Sequence, residues 1–117
     1  MNKNIIILFL LLFQSIILIA GGGKEAFRNY FMGSHYFAEG QFNRAENHLR
    51  RAYQLHPQQY NFALAYALVL GQQAKTDAAM GILGKSKNLL SPQHPDYSHL
   101  VSLQYFVNGM INLYGQR

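Results

Sequence analysis

Residues 26–59 read AFRNYFMGSHYFAEGQFNRAENHLRRAYQLHPQQ, and this stretch decides the fold. Four of its residues, Gly33, Ala45, Ala52 and Pro57, follow one another at intervals of 12, 7 and 5 positions. The small side chains at the first three positions allow two antiparallel helices to approach closely. Proline ends the second helix because it disfavours helical geometry in the residue before it. The stretch therefore predicts a helical hairpin.

The turn inside this hairpin is the tetrapeptide EGQF at residues 39–42. Gly40 stands where a left-handed backbone conformation is needed, and glycine adopts that conformation most easily. Tyr36 and Phe42 flank the turn, so their rings can fill the space beside the small residues.

Apolar residues recur at intervals of three and four along the chain after residue 24, and no segment alternates strictly between polar and apolar residues. This spacing is typical of helices and does not favour strands. We therefore predict an all-α protein. Its five helices are expected at residues 25–38, 43–55, 59–72, 76–90 and 96–114.

Adding 34 to the positions of the four spaced residues tests whether the hairpin is repeated. The four resulting positions all hold small residues, which are Ala67, Ala79, Ser86 and Ser91. Pro92 follows one position late, and Ala74 replaces the turn glycine. The second unit is therefore a degenerate copy of the first.

With this spacing the chain resembles the 34-residue motif of the tetratricopeptide repeat family. The resemblance places the first repeat at residues 26–59 and the second at 60–93. The helix at 96–114 is then a capping helix or half of a third repeat. It implies antiparallel hairpins stacked as a short right-handed solenoid. The packing positions that it implies are Gly33, Ala45, Ala52, Pro57, Ala67 and Ala79.

Residues 1–23 differ from the rest of the chain: a lysine near the start precedes an apolar stretch at 5–20, and three glycines follow. This is the pattern of a secretory signal peptide, and the stretch is shorter than the roughly 20 residues that span a bilayer comfortably. Either the leader is cleaved near residues 20–23, or an apolar N-terminal helix at 5–22 stays as a membrane anchor. A buried helix is less favoured. We expect residues 24–117 to form a helical domain that is exported (periplasmic or secreted) or anchored in the membrane.

The chain carries ten Lys and Arg against five Asp and Glu, a formal net charge of +5, and it has no cysteine. This mildly basic surplus permits contact with an acidic partner, but it also occurs on proteins that have none. Because no disulfide can form, the core alone must hold a small domain. Two and a half repeats are fewer than the usual three or so, so we expect self-association or a larger complex to cover the remaining apolar surface.

The chain does not have the patterns of an enzyme, a nucleotide site or a metal centre. Gly23–Lys24 is not part of a phosphate-binding loop, because Leu18 replaces the earlier glycine and Glu25 replaces the Ser or Thr. No two histidines are four apart on one helix, the spacing of helical zinc sites. We predict no catalytic residues, no cofactor and no metal. A small hydrolase is the least favoured alternative.

Arg44, His48 and Arg51 share one face of the second predicted helix. We interpret this face as the solvated outside of a repeat, in preference to a patch for acidic lipid or nucleic acid. Export would separate the chain from nucleic acid, so we expect no nucleic-acid partner.

The resemblance also implies that the first helix of each repeat lines an inner groove that binds a partner. The groove positions in this chain are Phe27, Tyr30, Ser34, Phe37, Asn61, Leu64, Leu68 and Gln72. The aromatic residues among them either anchor a peptide or helix of another protein, or belong to the core. The expected function is a non-enzymatic scaffold or assembly subunit that binds another protein. The alternative is a chaperone or adaptor that sequesters an apolar segment of an exported protein.

Overall fold

The structure is a computed structural model that describes residues 23–95 and 97–115. Within these residues it contains helices and turns and no strand, which confirms the all-α prediction. The helices are α1 at residues 23–38, α2 at Phe42–Leu55, α3 at Tyr60–Gln72, α4 at Thr76–Lys87 and α5 at Tyr97–Gly115.

The predicted signal peptide or anchor helix falls almost wholly on residues 1–22, which lie outside the described residues. In the part of the chain that is described, no helix is both long and apolar enough to cross a membrane.

The fourth helix ends at Lys87 and not at Leu90 as the sequence suggested. The amides of residues 88–90 each donate to the carbonyl three positions earlier, at 3.0 to 3.2 Å. Such bonds tighten the last turn of a helix and satisfy carbonyls that would otherwise have no partner. The chain then turns before α5 begins.

The first hairpin is closed by a narrow contact between α1 and α2. Ala45, Leu49 and Ala52 are buried along one face of α2, at the spacing of an amphipathic helix. Gly33 of α1 faces Leu49, and a β-carbon added at Gly33 would lie 2.6 Å from the Cγ of that leucine. The two helices therefore approach more closely than any side chain at position 33 would allow.

The core is built around α3, which contains no charged residue and packs against α2, α4 and α5. Phe62 joins α3 to α1 and α2, while Val69 packs against the buried face of α2. On the other side of α3, Leu70 belongs to the cluster shared with α4 and α5. A helix that is apolar around its whole circumference belongs inside a structure.

A buried polar contact joins the start of α3 to α5. The hydroxyl of Tyr60 donates to Oε1 of Gln104 at 2.5 Å and lies 3.3 Å from the carbonyl of Leu100. Burial raises the pKa of the Tyr60 hydroxyl, so the group stays a neutral donor.

The predicted packing residues do not all have the same environment. Gly33 and the four alanines are buried at helix contacts: Ala45, Ala52, Ala67 and Ala79. Pro57 is exposed in the turn after α2. It follows the end of that helix without filling the core.

Candidate functional site

The predicted groove residues of α1 lie on one side of the helix, because they are three or four positions apart. Phe27 and Ser34 are exposed, whereas Tyr30 and Phe37 are partly buried. Phe31, which the sequence analysis did not include, is 66% exposed against 48% for Phe27. Phe31 lies four residues after Phe27, and this helical spacing could have identified it from the sequence.

These rings rest on α3. Phe27 meets the buried ring of Phe62 edge-on with centroids 5.3 Å apart, and Tyr30 lies tilted against it at 5.1 Å. Phe31 extends the row, 6.4 Å from Phe27 and 5.8 Å from Tyr30. These distances are in the favourable range for aromatic pairs. We call Phe27, Tyr30 and Phe31 the α1 aromatic patch.

The remaining groove residues are not joined to the patch in one open surface. Asn61 is exposed, but Leu68 and Gln72 are partly buried and Leu64 lies in the core cluster of α3, α4 and α5. Phe37 packs against the buried cluster of α2 and α3. The exposed aromatic part of the predicted groove therefore lies in the N-terminal half of α1.

A buried carboxylate ties the first hairpin to the turn of the second. Glu46 of α2 is 6% exposed and accepts hydrogen bonds from three side chains. Nζ of Lys75 lies at 2.7 Å, Nε2 of Gln73 at 2.9 Å and Nη2 of Arg50 at 2.5 Å. Sequence reasoning assigned Glu46 no partner, although it directly follows the packing residue Ala45.

Two opposing effects set the pKa of Glu46. Burial penalises the carboxylate and raises the pKa, whereas the hydrogen bond and positive charge of Lys75, with Gln73 and Arg50, lower it. The partners prevail, so the pKa lies below its ordinary value and the group is ionised at neutral pH. The cluster therefore acts as a charged clamp between successive hairpins.

A groove of about 310 Å³ opens between the end of α4 and α5. We call it the α4–α5 groove, and its lining residues are Lys87, Leu90, Tyr97, Val101, Gln104, Tyr105 and Asn108. Tyr105 is 74% exposed, and Phe106 and Leu113 are also exposed on α5. A helix that serves only to shield an array from solvent would not present these side chains.

The all-helical arrangement of hairpins agrees with comparison to known families. The family model described as tetratricopeptide repeat matches residues 36–104, more than half of the chain. The chain belongs to the tetratricopeptide repeat family. Comparison with curated proteins gave no match, and neither did comparison with solved structures. Tetratricopeptide repeats are generally non-enzymatic modules that bind other proteins, so the exposed surfaces are where function is to be sought.

The basic face of α2 in this tetratricopeptide repeat chain is engaged with α1. Arg51 pairs with Glu25 at 3.2 Å, and the guanidinium of Arg44 lies 5.6 Å from the centroid of the Tyr36 ring. His48 stacks on the same ring with centroids 5.5 Å apart. These side chains therefore brace the hairpin. Among residues 23–95 and 97–115, no group of three or more His, Cys, Asp or Glu is arranged to hold a metal.

Proposed function

We propose that this chain is a scaffold or assembly subunit that binds another protein without chemistry, outside the cytoplasm or at the membrane. In the proposed arrangement the two hairpins and α5 form a short right-handed solenoid. The α1 aromatic patch lies at the start of its inner face. This patch is the observation that carries the proposal.

The patch has the properties of a protein-binding anchor. Phe27 and Phe31 expose large rings, and aromatic residues concentrate the binding energy of protein interfaces. Because Phe62 supports Phe27 and Tyr30 from below, little side-chain freedom is lost when a partner covers them. An apolar segment of another protein, such as one face of an amphipathic helix, is the matching ligand.

The site of action is proposed from residues 1–23 alone. Their basic start, apolar centre and small-residue end suit an export signal or an anchor. Cleavage would release the helical domain outside the cytoplasm, and retention would hold it at the membrane, so in either case the patch can meet exported or membrane proteins.

The test is site-specific photocrosslinking of the full-length chain in its own cells. A photoreactive amino acid replaces Phe31 in one variant and Asn47 in the control variant. Asn47 is exposed on α2 and lies outside the patch. We expect one stoichiometric partner to crosslink at position 31 and not at 47. Mass spectrometry of the same sample gives the N-terminus of the chain, and fractionation gives its compartment.

Each outcome decides a part of the proposal. Many different exported proteins captured at position 31 would replace the scaffold by the chaperone or adaptor. Equal capture at positions 31 and 47, or none at 31, would remove the patch as the binding site. A chain that keeps residues 1–23 and stays in the cytosol would overturn the proposed location.

A further inference from the structure

The α4–α5 groove stands open at the position where a helix lies one repeat earlier. Four of its α5 residues are Tyr97, Val101, Gln104 and Tyr105, and the residues 34 positions before them are Ala63, Ala67, Leu70 and Gly71 of α3. All four α3 residues are buried. Ala67 and Leu70 share a core cluster with Ala79 and Leu83 of α4. In the second repeat, α4 therefore covers this helix face at Ala67 and Leu70, while Gly71 at its edge lies against Ile111 of α5.

The same face is covered in the first repeat as well. Gly33 stands 68 positions before Val101, and it lies against Leu49 of α2. Among the described residues, α1 and α3 each have a covering helix along this face, whereas α5 has only the end of α4 and Tyr60 of α3 at its edge. The repeat register thus defines the kind of occupant that is missing, which is a helix antiparallel to α5.

A second cavity shows where the end of such a helix would lie. Tyr53 and Ala63 form one side of it, and Lys85, Ser86 and Leu89 from the end of α4 form the other. Adding 34 to the first pair gives Lys87 and Tyr97, which line the α4–α5 groove. A helix docked on α5 as α4 is docked on α3 would place its own counterpart of Lys85 beside Lys87.

The surface of α5 has the composition of an interface. Its residues 97–115 include no Asp, Glu, Lys or Arg, although Tyr105, Phe106 and Leu113 are exposed. Depletion of charge with enrichment of aromatic residues marks the buried centre of protein interfaces. Oδ1 of Asn108, which lines the groove, is buried and has no hydrogen-bond partner among the described residues.

The charge around the groove selects the occupant further. Lys87 lines it and Lys85 lies in the same last turn of α4, while α4 has only Asp77, in its first turn, as an acidic residue. Lys87 therefore makes the α4 edge of the groove positive, and Lys85 adds charge nearby in the second cavity. A helix that carries a carboxylate near its C-terminal end complements this edge, whereas α4 of a second copy, with Lys85 and Lys87 in its last turn, does not.

We propose that the α4–α5 groove binds one amphipathic helix of a partner protein. The helix runs antiparallel to α5, presents small and aliphatic residues to it, and places a carboxylate beside Lys87. The proposal rests on the proposed protein-binding function and deepens it, because it gives a second surface and the chemistry of the segment that covers it.

The test uses two labelled peptides that differ in one charge. The acidic peptide has the sequence of residues 75–90 with Lys85→Glu, and the control peptide keeps Lys85; both have acetyl and amide ends. Binding to the full-length chain in mild detergent is followed by fluorescence anisotropy. We expect the acidic peptide to bind about threefold to fivefold more tightly, the range of an exposed ion pair.

Variants of the chain locate the site. Lys87→Glu should reverse the preference between the peptides, which a merely misfolded chain would not do. Tyr105→Glu should weaken both peptides at least about tenfold, as loss of a central aromatic contact does. Phe31→Glu, in the α1 aromatic patch, should change neither.

Three results would overturn the proposal. The first is equal binding of the two peptides, and the second is a preference that Lys87→Glu leaves unreversed. The third is a dimer in sedimentation that Tyr105→Glu dissociates, since a second copy would then be the occupant. If position 31 still captures its partner in cells while the peptides fail, the groove proposal alone falls and the proposed function stands.

Discussion

The turns of the two hairpins have the same hydrogen bonds but a different residue at the decisive position. In the first turn the amide of Gln41 donates to the carbonyl of Tyr36 at 2.9 Å, and the amide of Gly40 donates to Phe37 at 3.0 Å. Gly40 has φ of +78°, the left-handed conformation that ends many helices.

In the second turn the amide of Lys75 donates to Leu70 at 3.0 Å, and the amide of Ala74 donates to Gly71 at 3.0 Å. Ala74 has φ of +60° although it carries a β-carbon. A single residue other than glycine in this region costs roughly 1 kcal/mol or more. The second turn therefore keeps the geometry of the first at the expense of backbone strain.

The contacts between the paired helices differ in the opposite direction, because the first hairpin is the one without room for a β-carbon. Gly33 allows α1 and α2 to approach until an added β-carbon would lie 2.6 Å from Cγ of Leu49. Ala67, 34 positions later, carries that β-carbon, stays fully buried and packs in one cluster with Leu83. Two packed helices can separate slightly to admit a methyl group, but a turn fixed by hydrogen bonds cannot change its dihedral angles without losing them.

The largest change in stability should come from placing alanine at position 33, the residue that position 67 has in the second hairpin. Gly33→Ala should lower the free energy of unfolding by about 2 kcal/mol, because Leu49 and the carbonyl of Ala45 crowd the new methyl group. Gly81→Ala is the control, since a β-carbon there meets nothing within 4 Å. It should raise stability by about 0.5–1 kcal/mol through helix propensity. Urea unfolding followed by far-UV circular dichroism measures both; a stabilising Gly33→Ala would show that the contact is not tight.

The repeat register could be predicted because it depends on residues whose size is visible in the sequence. Gly33, Ala45 and Ala79 mark close helix contacts at fixed intervals, and only small residues satisfy them. The turn at Ala74 could not be predicted as equivalent to the first. Its conformation is imposed by the bonds around it and contradicts the preference of alanine.

The candidate site was less predictable. The resemblance to the repeat family pointed to Phe27 and Tyr30, but it also selected Leu64, which lies in the core because α4 and α5 cover that part of α3. The sequence predicted uncovered apolar surface but not its place on α5, since Tyr105 and Phe106 look the same in a sequence whether a helix covers them or not. Which face is left uncovered depends on how many hairpins stack.

The second prediction concerns the clamp that holds the strained turn. Glu46→Gln removes the negative charge that Lys75 and Arg50 share, and we expect a loss of about 1.5 kcal/mol, measured by the same urea unfolding. Glu25→Gln is the matched control. Its pair with Arg51 is exposed on both sides and should matter by less than about 0.5 kcal/mol. Equal losses in the two variants would mean that Glu46 is no more than a surface charge.

The clamp should also depend on pH in a defined direction. Because the folded pKa of Glu46 is depressed, its contribution is fully present above the ordinary carboxyl value of about 4.5 and is lost as pH falls through the lower folded value. The stability difference between the original chain and Glu46→Gln should therefore be constant near neutral pH and shrink as the pH falls below the ordinary carboxyl value of about 4.5. A difference that grows on acidification would contradict the lowered pKa.

The smallest change in stability should come from relieving the backbone strain at Ala74 in the second turn. Ala74→Gly should raise the free energy of unfolding by about 0.7 kcal/mol, because glycine adopts positive φ without a steric cost and this gain exceeds its entropy loss. Gly40→Ala should lower it by a similar amount, and Ala78→Gly, at an exposed position inside α4, by about 1 kcal/mol. Opposite signs at positions 74 and 78, measured in thermal melts of the same preparation, would separate turn strain from helix propensity. A destabilising Ala74→Gly would mean that the clamp, and not the dihedral angle of Ala74, limits the turn.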